Sequence, residues 1–205
     1  MLNGKARIAV LVSGGGTNLQ ALIDAQKSGI IHSGEISLVI SNNPNAFALE
    51  RAEKAGIKNK IILKKDFPDS DAFNDELIRI IDEEKIDLIV LAGFMVILSK
   101  KFTEHFRKRI INIHPSLIPS FCGEGFYGIK VHEAALSYGV KVSGATVHYV
   151  NEIPDGGEII FQKAVAVEEE DTPEILQRRI MEQAEWIILP QATEKICSDI
   201  IKGEA

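Results

Sequence analysis

Short apolar runs that alternate with helical patterns constrain this chain more than any other feature. Residues 7–12 are almost continuously apolar, which is typical of a parallel strand covered on both faces. A Ser-Gly-Gly-Gly-Thr turn follows, and residues 18–27 then carry apolar side chains at helical spacing. The alternation continues as far as residues 87–92. This pattern predicts an α/β fold, with a doubly wound, mostly parallel sheet and right-handed crossovers.

The remaining elements are predicted by the same criteria. Strands are expected at residues 36–40, 60–63, 87–92, 109–113, 143–150 and 157–167. Helices are expected at residues 46–55, 71–84, 99–106 and 130–138, then from an N-cap at Thr172 to about residue 189, and finally at residues 191–201. The strands at 143–150 and 157–167 could pair antiparallel around the loop between them.

Composition bounds the class of protein. The chain has 205 residues, 45% of them hydrophobic, and a net charge of −6. The acidic balance argues against nucleic acid and anionic membranes as partners. The longest apolar run, residues 86–98, is interrupted by Asp87 and is too short to span a bilayer. No linker rich in Pro, Gly or Ser divides the chain, so residues 1–205 are expected to form a single domain.

The two cysteines bear on the compartment. Cys122 and Cys197 lie far apart in unlike contexts, so they indicate neither a disulfide framework nor a metal site. A reducing, cytoplasmic environment is therefore expected.

The glycine-rich turn at residues 13–18 is a candidate phosphate site. Its glycines let backbone N–H groups approach a ligand closely, and the following helix N-terminus adds partial positive charge. Thr17 and Asn18 add side-chain donors. The spacing is neither a Walker A loop nor a full dinucleotide fingerprint. The alternative is a tight strand-to-helix turn that needs glycine for its geometry alone.

Asn112 and His114 lie at the end of a predicted strand, just before Pro115 and Pro119. Residues two apart in a strand point to the same side, so an amide and an imidazole should share one face. Asp155, in an Asp-Gly-Gly loop, could supply a carboxylate. These are the groups needed for general acid–base work on a carbonyl. The alternative is a strand-to-loop junction in which both side chains cap backbone groups.

The expected electrostatics of this trio follow from its charges. An anionic Asp155 beside His114 would raise the histidine pKa and favour the imidazolium, a good proton donor. Of the other histidines, His32 and His105 lie in polar surroundings and are expected to face solvent. His148 lies within a predicted strand, where a structural role explains it at least as well as a functional one.

Five motifs together resemble a known family, the phosphoribosylglycinamide formyltransferases of purine biosynthesis, which are folate-dependent formyltransferases. They lie, in this order, at residues 13–20, 91–95, 112–119, 143–148 and 155–157. The resemblance runs from about residue 7 to 200. It implies a Rossmann-like fold with an antiparallel strand in the C-terminal half. It also implies transfer of a formyl group from 10-formyltetrahydrofolate, as cosubstrate and without a metal, to the amine of phosphoribosylglycinamide.

The resemblance also implies the roles of individual residues. Asn112, His114 and Asp155 match the catalytic trio. The phosphoribosylglycinamide site would comprise Gly16, Thr17, Asn18, Leu19, Glu182, Gln183, Ala184 and Glu185. The folate site would comprise Met95, Val96, Ile97, Leu98, Asn112, Asn151, Glu152, Ile153, Pro154 and Asp155. Residues 1–108 would then form the nucleotide- and phosphate-binding half, and residues 109–205 the catalytic and folate-binding half.

In the mechanism implied by the resemblance, the amine attacks the formyl carbon directly. Asn112 and a protonated His114 would stabilise the oxyanion, and Asp155 would keep His114 charged and help to move the amine proton. Both partners would be small molecules. The oligomeric state varies among such enzymes, and a homodimer is one alternative that the sequence leaves open.

Three other functions share parts of this pattern. Formyltetrahydrofolate hydrolase and methionyl-tRNA formyltransferase resemble the same trio, but usually carry an extra N-terminal and C-terminal domain, respectively, for which we expect no room here. A non-enzymatic nucleotide sensor would need the glycine loop without the convergence of Asn112, His114 and Asp155.

Overall fold

The computed structural model describes residues 4–204, so residues 1–3 and 205 of the expected 1–205 domain lie outside it. Within this range the strands are β1 Ala6–Val12, β2 Gly34–Ser41, β3 Asn59–Ile61, β4 Leu88–Leu91, β5 Ile110–His114, β6 Val142–Tyr149 and β7 Ile159–Ala166. The α-helices are α1 Thr17–Ser28, α2 Phe47–Lys54, α3 Ser70–Glu83, α4 Lys100–His105, α5 Ile129–Tyr138, α6 Pro173–Ile180 and α7 Trp186–Lys202. A 3-10 turn at Lys64–Asp66 and a π-helix at Met181–Glu185 complete the described elements.

All the strands join one sheet in the order β3-β2-β1-β4-β5-β6-β7. Neighbours from β3 to β5 are parallel, whereas β6 is antiparallel to both β5 and β7. This confirms the predicted Rossmann-like, mostly parallel sheet with an antiparallel strand in the C-terminal half. It also confirms that β6 and β7 pair as a hairpin.

The sheet is covered on both faces, which explains its continuous apolar strands. In β1, Ile8 and Val10 pack in one buried cluster, together with residues of α1, α2, α5, α6 and α7. Ala9 and Leu11 pack in the other, against α3 and α4. Alternate residues of each strand therefore face different helix layers.

Strands β5 and β6 depart from this rule, because one of their faces is polar. Ile111 and Ile113 of β5 belong to the first buried cluster, so Asn112 and His114 point to the opposite face. The antiparallel register places Asn112 opposite His148 and His114 opposite Thr146. Polar side chains of both strands thus meet on one face of the sheet.

The order of strands fixes where a ligand cleft can form. Connections run in opposite directions from β1 and β4, which are neighbours in the sheet. In doubly wound sheets, ligands bind outside the carboxyl ends of the strands at such a switch point. The two loops there are joined, because the N–H of Met95 donates to Ser13 Oγ at 2.8 Å.

The predicted break between the last two helices is wrong in position. The break is the π-helix Met181–Glu185, and Pro190 lies inside α7. Proline usually disrupts a helix because it lacks an N–H and its ring clashes with the carbonyl four residues earlier. That carbonyl belongs to Trp186, whose ψ of −5° departs from the ordinary α-helical value and rotates the carbonyl. The chain accommodates Pro190 just after the π-helix.

None of the helices within residues 4–204 is long and apolar enough to cross a membrane.

Candidate functional site

The structure brings the three predicted catalytic residues together. The Asp155 carboxylate lies with Oδ2 3.5 Å from Nδ1 of His114. Its other oxygen, Oδ1, accepts a long hydrogen bond of 3.4 Å from the Asn112 amide. His114 is almost completely buried, with 4% of its surface exposed. An amide, an imidazole and a carboxylate therefore share a largely dehydrated site, where electrostatic effects are stronger than in water.

His148 belongs to the same cluster. Its Nδ1 donates to the Tyr149 carbonyl at 2.8 Å. The Asn112 amide nitrogen lies 3.2 Å from Nε2 of His148, and Asp155 Oδ1 lies 3.5 Å from it. His148 thus contacts two of the three predicted residues. The period-2 pattern of β6 could have indicated the face it shares with Thr146, but not the register that places it opposite Asn112.

The net pKa shift of His114 runs opposite to the sequence-based expectation. Burial lowers the pKa of His114 below its ordinary value, although the Asp155 carboxylate and the Phe121 carbonyl act to raise it. The desolvation cost of an imidazolium exceeds the attraction of a carboxylate that lies 3.5 Å away. The expected effect of Asp155 on the pKa of His114 is present, but burial outweighs it.

Asp155 itself is held as an anion. Burial opposes its ionisation, but the imidazole groups of His148 and His114 and the N–H of Gly123 hold its pKa below the ordinary value. The carboxylate is thus available as a charge that can stabilise a cation forming nearby.

The loop between β5 and α5 also contacts the three predicted catalytic residues, which the sequence did not predict. The Phe121 carbonyl accepts a hydrogen bond of 2.9 Å from His114 Nε2. The Gly123 N–H donates to Asp155 Oδ2, also at 2.9 Å. Both contacts are made by backbone groups, so no side-chain pattern could have revealed them.

The glycine-rich turn at residues 13–16 directs its N–H groups away from α2. The carbonyls of Ser13, Gly14 and Gly15 all accept hydrogen bonds from the segment that contains α2. Because a trans peptide points its N–H opposite to its C=O, the N–H groups of the turn face the other way. The donors to the three carbonyls are Asn43 Nδ2, the Ala48 N–H and Arg51 Nε, in that order.

Gly16 is required at this turn for two reasons. Its φ of +71° is a left-handed conformation that side chains disfavour, and an added Cβ would lie 2.6 Å from that of Ala48. Gly16 is also the N-cap of α1, where no side chain satisfies the first N–H groups. An uncapped helix N-terminus beside a glycine turn is a suitable site for a phosphate group.

Part of the predicted nucleotide site is assembled at the start of α1. Asn18 Nδ2 donates to Glu185 Oε2 at 2.8 Å, across 167 residues of sequence. Thr17 Oγ1 lies 3.8 Å from the sulfur of Met181. Leu19, by contrast, is fully buried in the core, so its side chain is not available to a ligand. Burial raises the pKa of Glu185 to about 7, although the bond from Asn18 lowers it.

The other predicted residues of the π-helix lie differently. Glu182 and Gln183 are exposed, and Glu182 Oε1 accepts from Arg178 Nε at 2.8 Å along the helix surface. Ala184 is buried. The structure therefore brings Glu185 to the α1 N-terminus, but shows no contact of these three side chains with it.

Apart from Asn112 in β5, the predicted folate residues lie on two loops: one follows β4 at the carboxyl edge of the parallel strands, and the other follows β6, which runs antiparallel to β5. Met95 and Ile97 are 57% and 72% exposed, and Ile153 is 59% exposed, which is unusual for large apolar side chains. Leu98 is buried and Val96 is half-buried. The first three side chains could cover an apolar ligand, whereas Leu98 anchors its loop to the core.

The side chain of Asn151 holds the loop at residues 151–155 in shape. Asn151 Oδ1 accepts from the Ile153 N–H at 2.9 Å, and its amide donates to the Gly156 carbonyl at 3.2 Å. Asp155 has a φ of +55°, which is uncommon outside glycine. The loop thereby turns the Asp155 carboxylate towards the trio, while Glu152 and Pro154 remain exposed.

No group of three or more His, Cys, Asp or Glu side chains within residues 4–204 is arranged to hold a metal ion.

The sequence of this chain matches known proteins. The family model described as formyl transferase matches residues 6–193. A phosphoribosylglycinamide formyltransferase of Haemophilus influenzae is 43% identical over 184 residues, which cover 90% of this chain and 84% of that protein. The trifunctional purine biosynthetic protein adenosine-3 of Gallus gallus is 43% identical over 202 residues. That match covers 98% of this chain but 19% of the relative, so the chain spans about a fifth of the trifunctional protein.

Solved structures show the same similarity. Glycinamide ribonucleotide transformylase 1 from Symbiobacterium toebii superposes with a TM-score of 0.89 at 40% identity, over 96% of this chain and 89% of that one. Phosphoribosylglycinamide formyltransferase from Bacillus halodurans superposes with a TM-score of 0.87 at 38% identity, over 95% and 96% of the two chains.

Proposed function

Because the chain belongs to the formyl transferase family, we propose that it transfers a formyl group from 10-formyltetrahydrofolate to the amine of phosphoribosylglycinamide. The observation that carries this proposal is the contact of one partly buried carboxylate, Asp155, with both His114 and Asn112. A nucleotide-binding module would have no need of these three groups in one dehydrated cluster. Formyl transfer requires them, because charge develops on an oxygen while a proton moves.

We propose that the phosphoribosyl part of the acceptor binds at the start of α1. The N–H groups of the turn at residues 13–16 and the uncapped helix would hold the phosphate. Gly16, Thr17 and Asn18 supply this edge of the site. Glu185 lies next to Asn18 and would accept hydrogen bonds from the acceptor.

The residues present fit the folate. Met95 and Ile97, in the loop that follows β4, and Ile153, in the loop that follows β6, expose apolar surface. A flat heterocycle would bury that surface, with Asp155 at the end of the second loop. The folate, when bound, supplies the formyl carbon. In this proposal both sequence halves, 1–108 and 109–205, contribute to both ligands.

We propose the following roles for the trio. One N–H of the Asn112 amide makes a long hydrogen bond of 3.4 Å to Asp155. Because this bond is weak, the N–H would readily leave Asp155 and donate to the formyl oxygen instead. His114 and Asp155 act on the amine proton. Asp155 is ionised, and it would stabilise His114 whenever the imidazole gains a proton during the reaction. Neither cysteine is needed as a nucleophile.

A spectrophotometric assay of 10-formyltetrahydrofolate tests this function. Deformylation that requires phosphoribosylglycinamide is the expected result. Equal deformylation without the nucleotide would indicate a hydrolase, and no deformylation under either condition would indicate a binding module. Mass measurement of the nucleotide product, heavier by one formyl group, separates transfer from stimulated hydrolysis.

A further inference from the structure

Arg51 of α2 holds the glycine-rich turn from the side opposite to its N–H groups. Its Nε donates to the Gly15 carbonyl at 2.9 Å, and its Cδ would lie 3.4 Å from a Cβ added at Gly16. Nη1 of the same side chain donates to Gln20 Oε1, near the start of α1, at 3.0 Å. One guanidinium therefore joins the turn to α1, which it can do because its N–H groups form a rigid planar fork.

The bond to Gly15 acts on a donor at the other side of the turn. The Gly15 carbonyl and the Gly16 N–H belong to one trans peptide unit, so they point in opposite directions. A hydrogen bond from a cation to the carbonyl polarises that unit and makes its N–H a stronger donor. Gly16 is the N-cap of α1, where no side chain satisfies the first N–H groups. The charge of Arg51 therefore strengthens a donor that faces the proposed phosphate site.

The positive charge of Arg51 is not neutralised by a carboxylate in direct contact. Within the described part of the chain its guanidinium forms no ion pair, whereas Lys54 of the same helix pairs with Glu50 at 3.7 Å. Arg51 bonds instead to the neutral amide of Gln20, which in turn donates to Asp24 Oδ1 at 2.9 Å. Arginine side chains are always charged in proteins, so a permanent cation lies directly behind the turn.

The ring of Phe47 orients this guanidinium. Phe47 is the first residue of α2 and lies four residues before Arg51, so the two side chains are neighbours on one face of the helix. Arg51 Cζ lies 5.0 Å from the ring centroid, within the range of a cation–π contact. The ring is 45% exposed, which is high for a large aromatic side chain. Its position at the surface is explained by the cation that it supports.

We propose that Arg51 is a positioning residue for the phosphate of the acceptor: its guanidinium fixes the Gly15–Gly16 peptide and strengthens the attraction of the Gly16 N–H for a phosphate group. This role rests on the proposed function, which places the phosphate at this turn. Arg51 acts through the peptide and does not touch the reacting atoms. It therefore contributes to the binding of phosphorylated ligands and leaves the chemical step unchanged.

Ribose 5-phosphate and ribose test this role without the formyl donor. Both probes carry the sugar but only the first carries a phosphate, and calorimetry measures their dissociation constants. We expect the wild type to bind ribose 5-phosphate in preference to ribose, and Arg51→Gln to bind ribose 5-phosphate on the order of fivefold more weakly. Lys54→Gln is the matched control, because it removes a cation that lies 5.5 Å from the same Phe47 ring and pairs with Glu50. Its dissociation constant should stay within about twofold of the wild type.

The amide nitrogen of Gly16 gives a second readout in the free protein. Hydrogen bonding at a carbonyl changes the chemical shift of the nitrogen in the same peptide unit, so this signal should move in Arg51→Gln and stay in place in Lys54→Gln. Arg51→Lys keeps a cation, and its affinity for ribose 5-phosphate should therefore lie closer to the wild type than that of Arg51→Gln. Equal weakening in Lys54→Gln, an unmoved Gly16 signal in Arg51→Gln, or equal affinities of the two Arg51 variants would overturn the proposal.

Steady-state kinetics of formyl transfer separate positioning from a structural role. Arg51→Gln should raise the KM for phosphoribosylglycinamide about fivefold with kcat within about twofold, because it removes binding that is equal in the ground state and the transition state. A loss of kcat at unchanged KM would contradict the role of Arg51. Absence of formyl transfer by a wild type that binds ribose 5-phosphate through Arg51 would contradict the proposed function and not this role.

Discussion

Asn112 and His148 face each other across β5 and β6, and the amide nitrogen of Asn112 lies 3.2 Å from Nε2 of His148. The antiparallel register makes them direct cross-strand partners. His148 is 1% exposed and is fixed from behind by its own bond to the Tyr149 carbonyl. It therefore orients the Asn112 amide, whose remaining N–H is directed at Asp155.

Replacing His148 by alanine should lower kcat by on the order of tenfold to a hundredfold, because a small misplacement of a catalytic group is costly. The Asn112 amide would lose its acceptor and Asp155 one of its neighbouring imidazoles. Steady-state kinetics at fixed pH would measure the change. His105→Ala is the matched control, since His105 is exposed and contacts Asp82 at the surface. Equal activity of the two variants would exclude the orienting role.

Gly16→Ala should weaken phosphoribosylglycinamide binding and lower stability. The new Cβ would lie 2.6 Å from that of Ala48, at a φ that alanine disfavours. Gly29→Ala is the control for the cost of a positive φ alone, because Gly29 also has a positive φ but no atom lies within 4 Å of an added Cβ. The control should lose about 1 kcal/mol of unfolding free energy. Calorimetry measures nucleotide binding by Gly16→Ala. Normal binding, together with a loss of unfolding free energy no greater than that of Gly29→Ala, would contradict the close packing of Gly16 against Ala48.

The buried Glu185 should make stability depend on pH. Burial raises its pKa from 4.5 to about 7, so the folded protein binds more protons than the unfolded chain between these values. The Glu185 contribution to the unfolding free energy is therefore highest below about pH 4.5 and falls as pH rises to about 7. The fall amounts to about 3 kcal/mol at most.

Glu185→Gln should remove this dependence, since glutamine does not titrate. Urea denaturation of both proteins at pH 5 and pH 8 measures it: the wild type should lose stability relative to the variant at the higher pH. Parallel stability curves for the two proteins would mean that Glu185 is not desolvated as the structure shows.

The sequence predicts the sheet well because each strand carries its own local pattern. Residues 7–12 and 87–92 read as apolar runs between turns, and the alternation of helices then restricts the topology. The same local logic places Asn112 and His114 on one face. It does not place His148, because its position opposite Asn112 depends on the pairing register of strands 36 residues apart in sequence.

Two errors of the sequence analysis have physical causes of the same kind. The break was predicted at Pro190 because the rule for proline is local, whereas the chain relieves the clash through the π-helix Met181–Glu185 and the rotated carbonyl of Trp186. The direction of the His114 pKa shift is wrongly predicted when its partner Asp155 is considered alone. Its desolvation depends on how completely the fold buries it, which no sequence pattern states.

The turnover of His114→Ala tests the central claim most directly. The imidazole is proposed to move the amine proton, but it has no contact with the turn at residues 13–16 that is proposed to bind the phosphate. We expect kcat for formyl transfer to fall by on the order of a hundredfold or more, while the dissociation constant for phosphoribosylglycinamide stays within roughly twofold. Near-normal turnover in a folded His114→Ala protein would contradict the account.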